Sequence, residues 1–441
     1  MAESVLTVPE DGMHITRDTI LAPGTYFLPN GLHIAGDSIH LDGNGALIIG
    51  NNFSGRGISV NQRTGVRISN LQVERYFHGI WVNASANVTV EHCTITRTHE
   101  VAGPDVFLDI WLDRSEAYGG GVFFNGVVDS EIVNNDLQHQ QNGALIYGCN
   151  RVAVTGNNAS YNSGAGVLMD ATSDSSAAQN VADFCSRIYH YPNWRQTGSY
   201  HNGADAAGLV MMNSSCNNHI HHNWFRGGGD GVFLGGFHKD QIKVPCNDNT
   251  FEFNDCSWSP NIAFEATFSQ RNRFANNKAD NCNYGFWLGY SVHNTVEDND
   301  IRGNRIAGVA IEHGHHNTIR ANNFEKNRDG VQLWVGAKPP FSRYFPDCAE
   351  THETQIVGNT FARQDCAVRV WSERAVEDVA VQRCHHINLR DNTLNDNRIA
   401  VQFDRVREST ITGNKIIGNV EAGIKLTGCK DVTTDGNRLG S

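Results

Sequence analysis

Proline and long apolar runs are both scarce in this sequence. Only 10 of the 441 residues are proline, and no apolar run approaches the roughly 18 residues of a membrane-spanning helix. Lysine and arginine number 35 against 47 aspartates and glutamates, so the net charge is −12. This shortage of positive charge disfavours nucleic acid, anionic membranes and strongly polyanionic substrates as the main partner.

Clustered cysteines and a secretion signal are also missing from the sequence. The 11 cysteines are an odd number without a Cys-x-x-Cys pair, which argues against a disulfide framework and against a structural zinc site. Residues Met1 to Pro9 lack the basic and apolar regions of a signal peptide. We expect a cytoplasmic protein if Met1 is native, and an extracellular or periplasmic one if a signal peptide was removed.

Asparagine and glycine, in contrast, are abundant and regularly spaced. There are 47 asparagines and 44 glycines, the two residues that adopt left-handed backbone most readily. Many of the intervals between repeated Asn-x-apolar motifs are 22 or 23 residues. The motif begins at Asn135, Asn157, Asn180, Asn223, Asn254, Asn277, Asn299, Asn322, Asn359, Asn392, Asn414 and Asn437.

Each repeat contains a short segment in which apolar residues alternate. Thirteen such segments occur, from Ile80–Asn83 to Ile424–Thr427, and their first and third positions are always apolar. Alternation with period two predicts a strand with one buried face. A coil of 22–23 residues with asparagine and glycine turns indicates an all-β protein, a single right-handed parallel β-helix.

The first coils carry a resemblance to a known group. Residues Ile20–Tyr26 and Ile39–Gly45 resemble the opening of the right-handed parallel β-helix repeat superfamily, which includes pectate-lyase-like and NosD-like proteins. The resemblance covers essentially the whole chain and implies the solenoid fold. It implies no particular chemistry, because the superfamily includes lyases, hydrolases, epimerases and non-enzymes.

The repeat predicts one domain, residues 1–441, with loops that flank one sheet. We expect an N-terminal cap at 1–34 and coils from about 35 to 437. Insertions interrupt the repeat at about 98–119, 171–206, 236–248, 335–351 and 372–386. Long loops in a regular solenoid are usually functional.

Two glutamates are the candidate catalytic residues. If the strands align by their first apolar residues, Glu265 and Glu312 share the outward fourth position, and Gly289 occupies it in the coil between them. Neighbouring strands lie about 4.8 Å apart, so the two side chains would start about 9.6 Å apart across an empty notch. Paired carboxylates at such a distance suit glycoside hydrolysis, and the spacing favours inversion over retention.

Aromatic and polar residues around this pair are candidates for substrate binding. Outward tryptophans beside carboxylates suit stacking on sugar faces. The predicted binding residues are Phe233, Trp287, Trp334, Trp371, Tyr290, His313, Asp170, Gln332 and Arg369.

The sequence predicts no metal site and no cofactor. The histidine runs around His221 and around His315 lie at turns without a consistent ligand pattern. Asp230 and Asp329 precede strand glycines, where aspartate usually serves the turn.

The pattern favours a glycoside hydrolase or an intramolecular glycosyl transferase that acts on a neutral or weakly charged saccharide. One alternative is a polysaccharide lyase or uronate epimerase, which needs a cationic group to neutralise a carboxylate. The other is a non-catalytic carbohydrate-binding or assembly solenoid. The oligomeric state stays open, a homo-oligomer included.

Overall fold

The computed structural model describes residues 6–103, 106–191, 199–203, 205–336, 341–373 and 383–440. The predicted insertion at 372–386 therefore lies largely outside the described residues, as do parts of those at 98–119, 171–206 and 335–351. Contacts between Cα atoms divide the chain into two compact units, 1–231 and 232–441.

The regular secondary structure of the described residues consists of strands and one short 3-10 helix, Pro346–Cys348. In each unit the chain passes in turn through three sheets, and nearly every strand pairs in parallel with its counterparts in the coils before and after it. The predicted fold class, an all-β right-handed parallel β-helix, is confirmed. Among the described residues, no helix is long and apolar enough to cross a lipid bilayer.

In unit 1–231 parallel pairing begins at the first described strand, Leu6–Thr7. The first sheet consists of His14–Ile15, Leu32–Ile34, Arg56–Asn61, His78–Asn83, Gly120–Asn125, Ala144–Tyr147, Val167–Asp170 and Ala207–Met212. The second sheet consists of Leu6–Thr7, Thr19–Leu21, His40–Asp42, Arg67–Ser69, Thr89–Glu91, Val128–Val133, Asn150–Thr155, Ser176–Ala178 and His219–His221. The third sheet consists of Thr25–Phe27, Leu47–Ile49, Gln72–Glu74 and Thr94–Thr96. Tyr189–Tyr191 and Ser199–His201 form a separate antiparallel pair.

Unit 232–441 is likewise built from three sheets. Its first sheet consists of Asp230–Gly235, Ile262–Thr267, Tyr284–Trp287, Ala307–Glu312, Asp329–Val335, Cys366–Ser372, Ile399–Asp404 and Ala422–Thr427. The second consists of Thr250–Glu252, Arg273–Ala275, Thr295–Glu297, Thr318–Arg320, Thr351–His352, Gln355–Val357, Cys384–His385, Asn388–Arg390, Val406–Thr412 and Lys430–Asp435. The third consists of Asp300–Arg302, Asn323–Glu325, Thr360–Ala362, Thr393–Asn395, Lys415–Ile417 and Arg438–Gly440.

Like side chains stack from coil to coil inside each unit. Phe264 lies on Phe286 with ring centroids 4.8 Å apart, and Phe324 lies on Phe361 at 4.6 Å. All four rings are fully buried. The apolar residues that alternate along the strands thus form one continuous core in each unit.

The repeated asparagines form buried ladders. From Asn277 to Asn437, each ladder asparagine Oδ1 accepts a hydrogen bond from the backbone N–H of the ladder asparagine one coil earlier, beginning with Asn254, at 2.8–3.0 Å. The repeated asparagines thus stack on one another from coil to coil. The ladder satisfies turn amides that no sheet partner reaches.

Candidate functional site

The strand that carries Glu265 is shifted from its predicted register. Phe264, not Ile262, pairs with Phe286, so Glu265 lies beside Trp287. Trp287 in turn pairs with Ala310, whereas Glu312 pairs with Trp334. The expected alignment by first apolar residues therefore holds for Phe286 and Val309, which pair, but it is wrong for Ile262, which pairs with Tyr284.

This shift changes the geometry of the proposed pair. Glu312 lies two coils and two residues beyond Glu265, so their Cα atoms are about 12 Å apart. The expected notch at Gly289 is also not empty, because a Cβ atom there would lie 3.0 Å from the Trp287 indole nitrogen. Glycine at this position makes room for the tryptophan ring.

Glu312 carries a half-buried carboxyl with a raised pKa. It lies at the end of Ala307–Glu312. Burial raises the pKa of its carboxyl, a hydrogen bond from the Trp334 side chain opposes this, and the charge of Glu373 raises the pKa further. A raised pKa favours the protonated form of a carboxyl, which is the form that can protonate a leaving oxygen.

Four aromatic side chains form a continuous row beside Glu312. Trp334 stacks on Trp371 with ring centroids 5.2 Å apart and planes 3° apart, and it meets Trp287 edge-on at 5.5 Å. Tyr284 contacts Trp287 at 4.8 Å. The three tryptophans are partly exposed, as stacking on a sugar requires. Phe233 pairs with Glu265 but is only 8% exposed, so it is not the open platform that we expected.

The loop 341–351 packs against Tyr290, three residues beyond Trp287. Phe341 contacts the Tyr290 ring edge-on at 5.3 Å, and Tyr290 stacks on His313 at 5.0 Å. Tyr290 is 4% exposed and His313 is fully buried, so neither is an open sugar-binding surface. His313 Nε2 accepts a hydrogen bond from the Gly336 N–H at 3.0 Å, and burial lowers its pKa to about 4. His313 therefore positions the chain next to Glu312 as a neutral imidazole.

Arg369 is occupied by a buried carboxylate. Its Nε and one terminal nitrogen donate to the two oxygens of Asp329, at 2.8 and 3.2 Å, and its other terminal nitrogen donates to Gln402 at 3.2 Å. Gln332 also donates to Asp329. Asp329 is fully buried. Its predicted turn role is incomplete, since it anchors the two predicted binding residues Gln332 and Arg369 beside the row.

Asp170 belongs to unit 1–231 and not to the strands around Glu312. It is 9% exposed and accepts a hydrogen bond from Asn213 at 2.5 Å.

Among the neighbours of Glu312, the sequence analysis missed Glu373 and Tyr284. Glu373 follows Trp371 by two residues and lies within the predicted insertion 372–386, where the repeat defines no register.

Histidines and glutamates gather at another part of unit 232–441. Three groups within the described residues have ligand atoms within 4.8 Å of one another and could hold a metal ion. They are His293, His315 and His316; His316, His352 and Glu353; and His385, His386 and Glu408.

The raised pKa of Glu312 predicts a pH-dependent gain in stability for Glu312→Gln. The folded pKa exceeds the ordinary value of 4.5, so the charged form destabilises the fold at higher pH, and that penalty disappears as the pH falls through 4.5. The melting temperature of the variant should exceed that of the wild type at pH 8, and the difference should shrink toward pH 4.5.

Glu325→Gln is the matched control for this measurement. An ion pair with Arg363 lowers the pKa of Glu325, so its replacement should reduce stability, if it changes it at all, at the higher pH. A Glu312→Gln variant that is less stable than the wild type at pH 8 would contradict the assignment of a destabilising charge.

Comparisons with known proteins agree on the fold. A family model described as "Right handed beta helix region" matches residues 37–239 and 236–344. A second, described as "Periplasmic copper-binding protein (NosD)", matches residues 348–441. The comparison with curated proteins finds no match.

Several solved structures are similar over most of this chain. The periplasmic alginate epimerase AlgG is 11% identical with a TM-score of 0.39, over 95% of this chain and 79% of its own. The A-module of the mannuronan C-5 epimerase AlgE6 of Azotobacter vinelandii is 12% identical with a TM-score of 0.39, over 96% and 91%. Tailspike protein 3 of bacteriophage CBA120 is 10% identical with a TM-score of 0.36, over 94% and 56%. These similarities carry no information about the chemistry of this chain.

Proposed function

This chain belongs to the right-handed β-helix family, and on that premise we propose that unit 232–441 carries a glycoside-cleaving site centred on Glu312. The observation that carries the proposal is a half-buried carboxyl with a raised pKa, hydrogen-bonded to one tryptophan of an exposed aromatic row. Tryptophan faces bind the apolar faces of sugar rings. A saccharide on Trp287 and Trp334 would place a glycosidic oxygen within reach of Glu312.

The reaction needs a second carboxylate, and the fold offers one on each side of Glu312. Glu265 lies two coils before it and two residues back, and Glu373 lies two coils after it and two residues on. Each Cα atom is about 12 Å from that of Glu312. Glutamate side chains that lean toward each other on the outer face can reduce the distance between their carboxyl groups to the roughly 6.5–9.5 Å of inverting enzymes. The separation of about 5 Å in retaining enzymes is harder to reach.

In this mechanism Glu312 gives its proton to the glycosidic oxygen as the bond to the anomeric carbon breaks. Water attacks that carbon from the opposite face, and its proton passes to Glu265 or Glu373 as general base. The anomeric configuration inverts. An intramolecular transferase would use the same acid, with a hydroxyl of the substrate in place of water.

The lyase or epimerase alternative is less well supported by the surroundings of Arg369. Such enzymes must neutralise a uronate carboxylate, and Arg369 is the cation on the outward strand face beside the row. Its guanidinium already forms a two-pronged ion pair with Asp329. We therefore propose a neutral or weakly charged saccharide as substrate. A location outside the cytoplasm belongs to the same proposal, because the matching NosD model is described as periplasmic.

A screen of neutral and uronate-containing oligosaccharides tests this function. Cleavage products would be followed by NMR, which reports both the bond that is broken and the anomer released first. We expect cleavage with inversion by the wild type and none by Glu312→Gln, which also exposes contaminating activities. Cleavage of only uronate-containing chains with formation of an unsaturated sugar would instead establish the lyase alternative.

A further inference from the structure

A column of histidine and glutamate runs along one turn of unit 232–441. The turn joins the first sheet to the second, and its residues stack over five successive coils, as the hydrogen bond from the His316 N–H to the His352 carbonyl oxygen shows. The column consists of His293, His315, His316, His352, Glu353, His385, His386 and Glu408. It is separate from the aromatic row and from Glu312.

The side chains of this column converge on one another. His315 and His316 bring their Nδ1 atoms to 2.8 Å, and His316 Nε2 lies 2.8 Å from a Glu353 oxygen. His385 and His386 bring their Nδ1 atoms to 2.6 Å, and His386 Nε2 lies 3.4 Å from Glu408. Four ligands around zinc, each at about 2.0 Å, lie about 3.3 Å from one another. Small side-chain rotations would therefore suffice to admit an ion.

The same turn is built differently in the coils before the column. There Arg271 forms an ion pair with Asp248 at 2.7 Å, so opposite charges neutralise each other. From His293 onward the position carries imidazole and carboxylate in place of arginine. Those are the ligands of zinc and other borderline divalent ions.

We propose that this column binds two borderline divalent transition-metal ions of the zinc class per chain. The number follows from the three ligand groups. The first two groups both need His316, so an ion bound by one group takes this ligand from the other and the two groups hold one ion; His385, His386 and Glu408 belong to neither group and hold a second ion. Each ion would link ligands from successive coils and so strengthen this corner of the solenoid.

Both sites are accessible from outside. The His316 and His386 side chains are 41% and 53% exposed. A cavity of about 340 Å³ lined by His293 and His315 opens beside the first group. The first group also lies outside residues 348–441, the part that the NosD model matches, so the inference rests on the ligand geometry.

The test is a titration of the full chain with Zn²⁺, measured by isothermal calorimetry after dialysis against a chelator. Asparagine replaces each histidine, because His316 and His386 have left-handed backbone, with φ of 53° and 50°, which asparagine tolerates. The wild type should bind two Zn²⁺, His316→Asn and His386→Asn one each, and the double variant none. His222→Asn is the control, since His222 also has left-handed backbone and brings its Nδ1 to 3.0 Å from that of His221. It should still bind two.

Thermal unfolding and cobalt spectra add independent readouts. Zinc should raise the melting temperature of the wild type but not of the double variant, because an ion that binds only the folded state stabilises it. Co²⁺ should give an absorption spectrum of nitrogen and oxygen ligands without a thiolate charge-transfer band, since cysteines are not part of the column. Fewer than two Zn²⁺ per wild-type chain, or a stoichiometry unchanged by both His→Asn variants, would overturn the proposal.

Discussion

Replacing Glu312 by glutamine is expected to lower turnover on the cleaved saccharide by a factor of about 10² or more. The amide keeps the size of the side chain and can still accept the hydrogen bond from Trp334, but it has no proton to give the leaving oxygen. Substrate affinity should change little, because the aromatic row of Trp287, Trp334 and Trp371 is untouched. The measurement is kcat and KM on the saccharide identified by the screen.

The leaving group distinguishes a lost acid from a damaged site. A substrate with an activated phenolic leaving group needs little protonation, so Glu312→Gln should regain most of its turnover on it, while a merely distorted site would not. Glu265→Gln and Glu373→Gln identify the base, since the true base variant loses turnover on both substrates. Wild-type turnover by Glu312→Gln on the unactivated saccharide would contradict the assignment.

The fold could be predicted from the sequence because the same pattern of strand and turn residues recurs from coil to coil. Alternating apolar residues and an asparagine at a fixed turn recur often enough that single exceptions do not hide the period. The predicted register of Glu265, in contrast, rests on the pattern of a single coil. In other coils a glycine such as Gly285 or Gly308 precedes the first inward residue, where a Cβ atom would approach the next carbonyl oxygen to 2.5–2.7 Å. In the coil of Glu265 this position is Ala263 and not glycine. Without the glycine, the pattern predicts Ile262 as the first inward residue of the strand instead of Phe264, an error of two residues.

The site could be predicted only as far as the strand pattern reached. The exposed tryptophans follow from alternation, and the structure places Trp334 and Trp371 together as expected. The burial of Tyr290 and His313 depends on loop 341–351. This loop does not follow the coil repeat, so its conformation could not be predicted from the sequence pattern. The histidine column was missed for a related reason. Its members are adjacent in space, but insertions separate them irregularly in sequence, so no ligand spacing was visible.

Replacing Asn322 by alanine is expected to destabilise unit 232–441 by about 4 kcal/mol or more. Asn322 Oδ1 accepts hydrogen bonds from the backbone N–H and the side-chain amide of Asn299, both at 2.9 Å. Its own amide donates to the Val296 carbonyl oxygen at 2.8 Å and to Asn359 at 3.0 Å. The residue is only 1% exposed, so water cannot replace these partners, and each group left unpaired costs about 1–3 kcal/mol.

Asn437→Ala is the matched control, because Asn437 accepts the same two bonds and donates to a backbone carbonyl oxygen at the end of the same ladder. It accepts from the Asn414 N–H and side chain at 3.0 and 2.9 Å, but it is partly exposed and water can take its place. Urea unfolding should show a much larger loss for Asn322→Ala, and hydrogen exchange should place the loss of protection in the coils around residues 299–359. Since a solenoid is stabilised by contacts between neighbouring repeats, one broken rung should weaken both coils that it joins. Equal losses for the two variants would mean that the asparagines contribute through turn conformation rather than through the buried ladder.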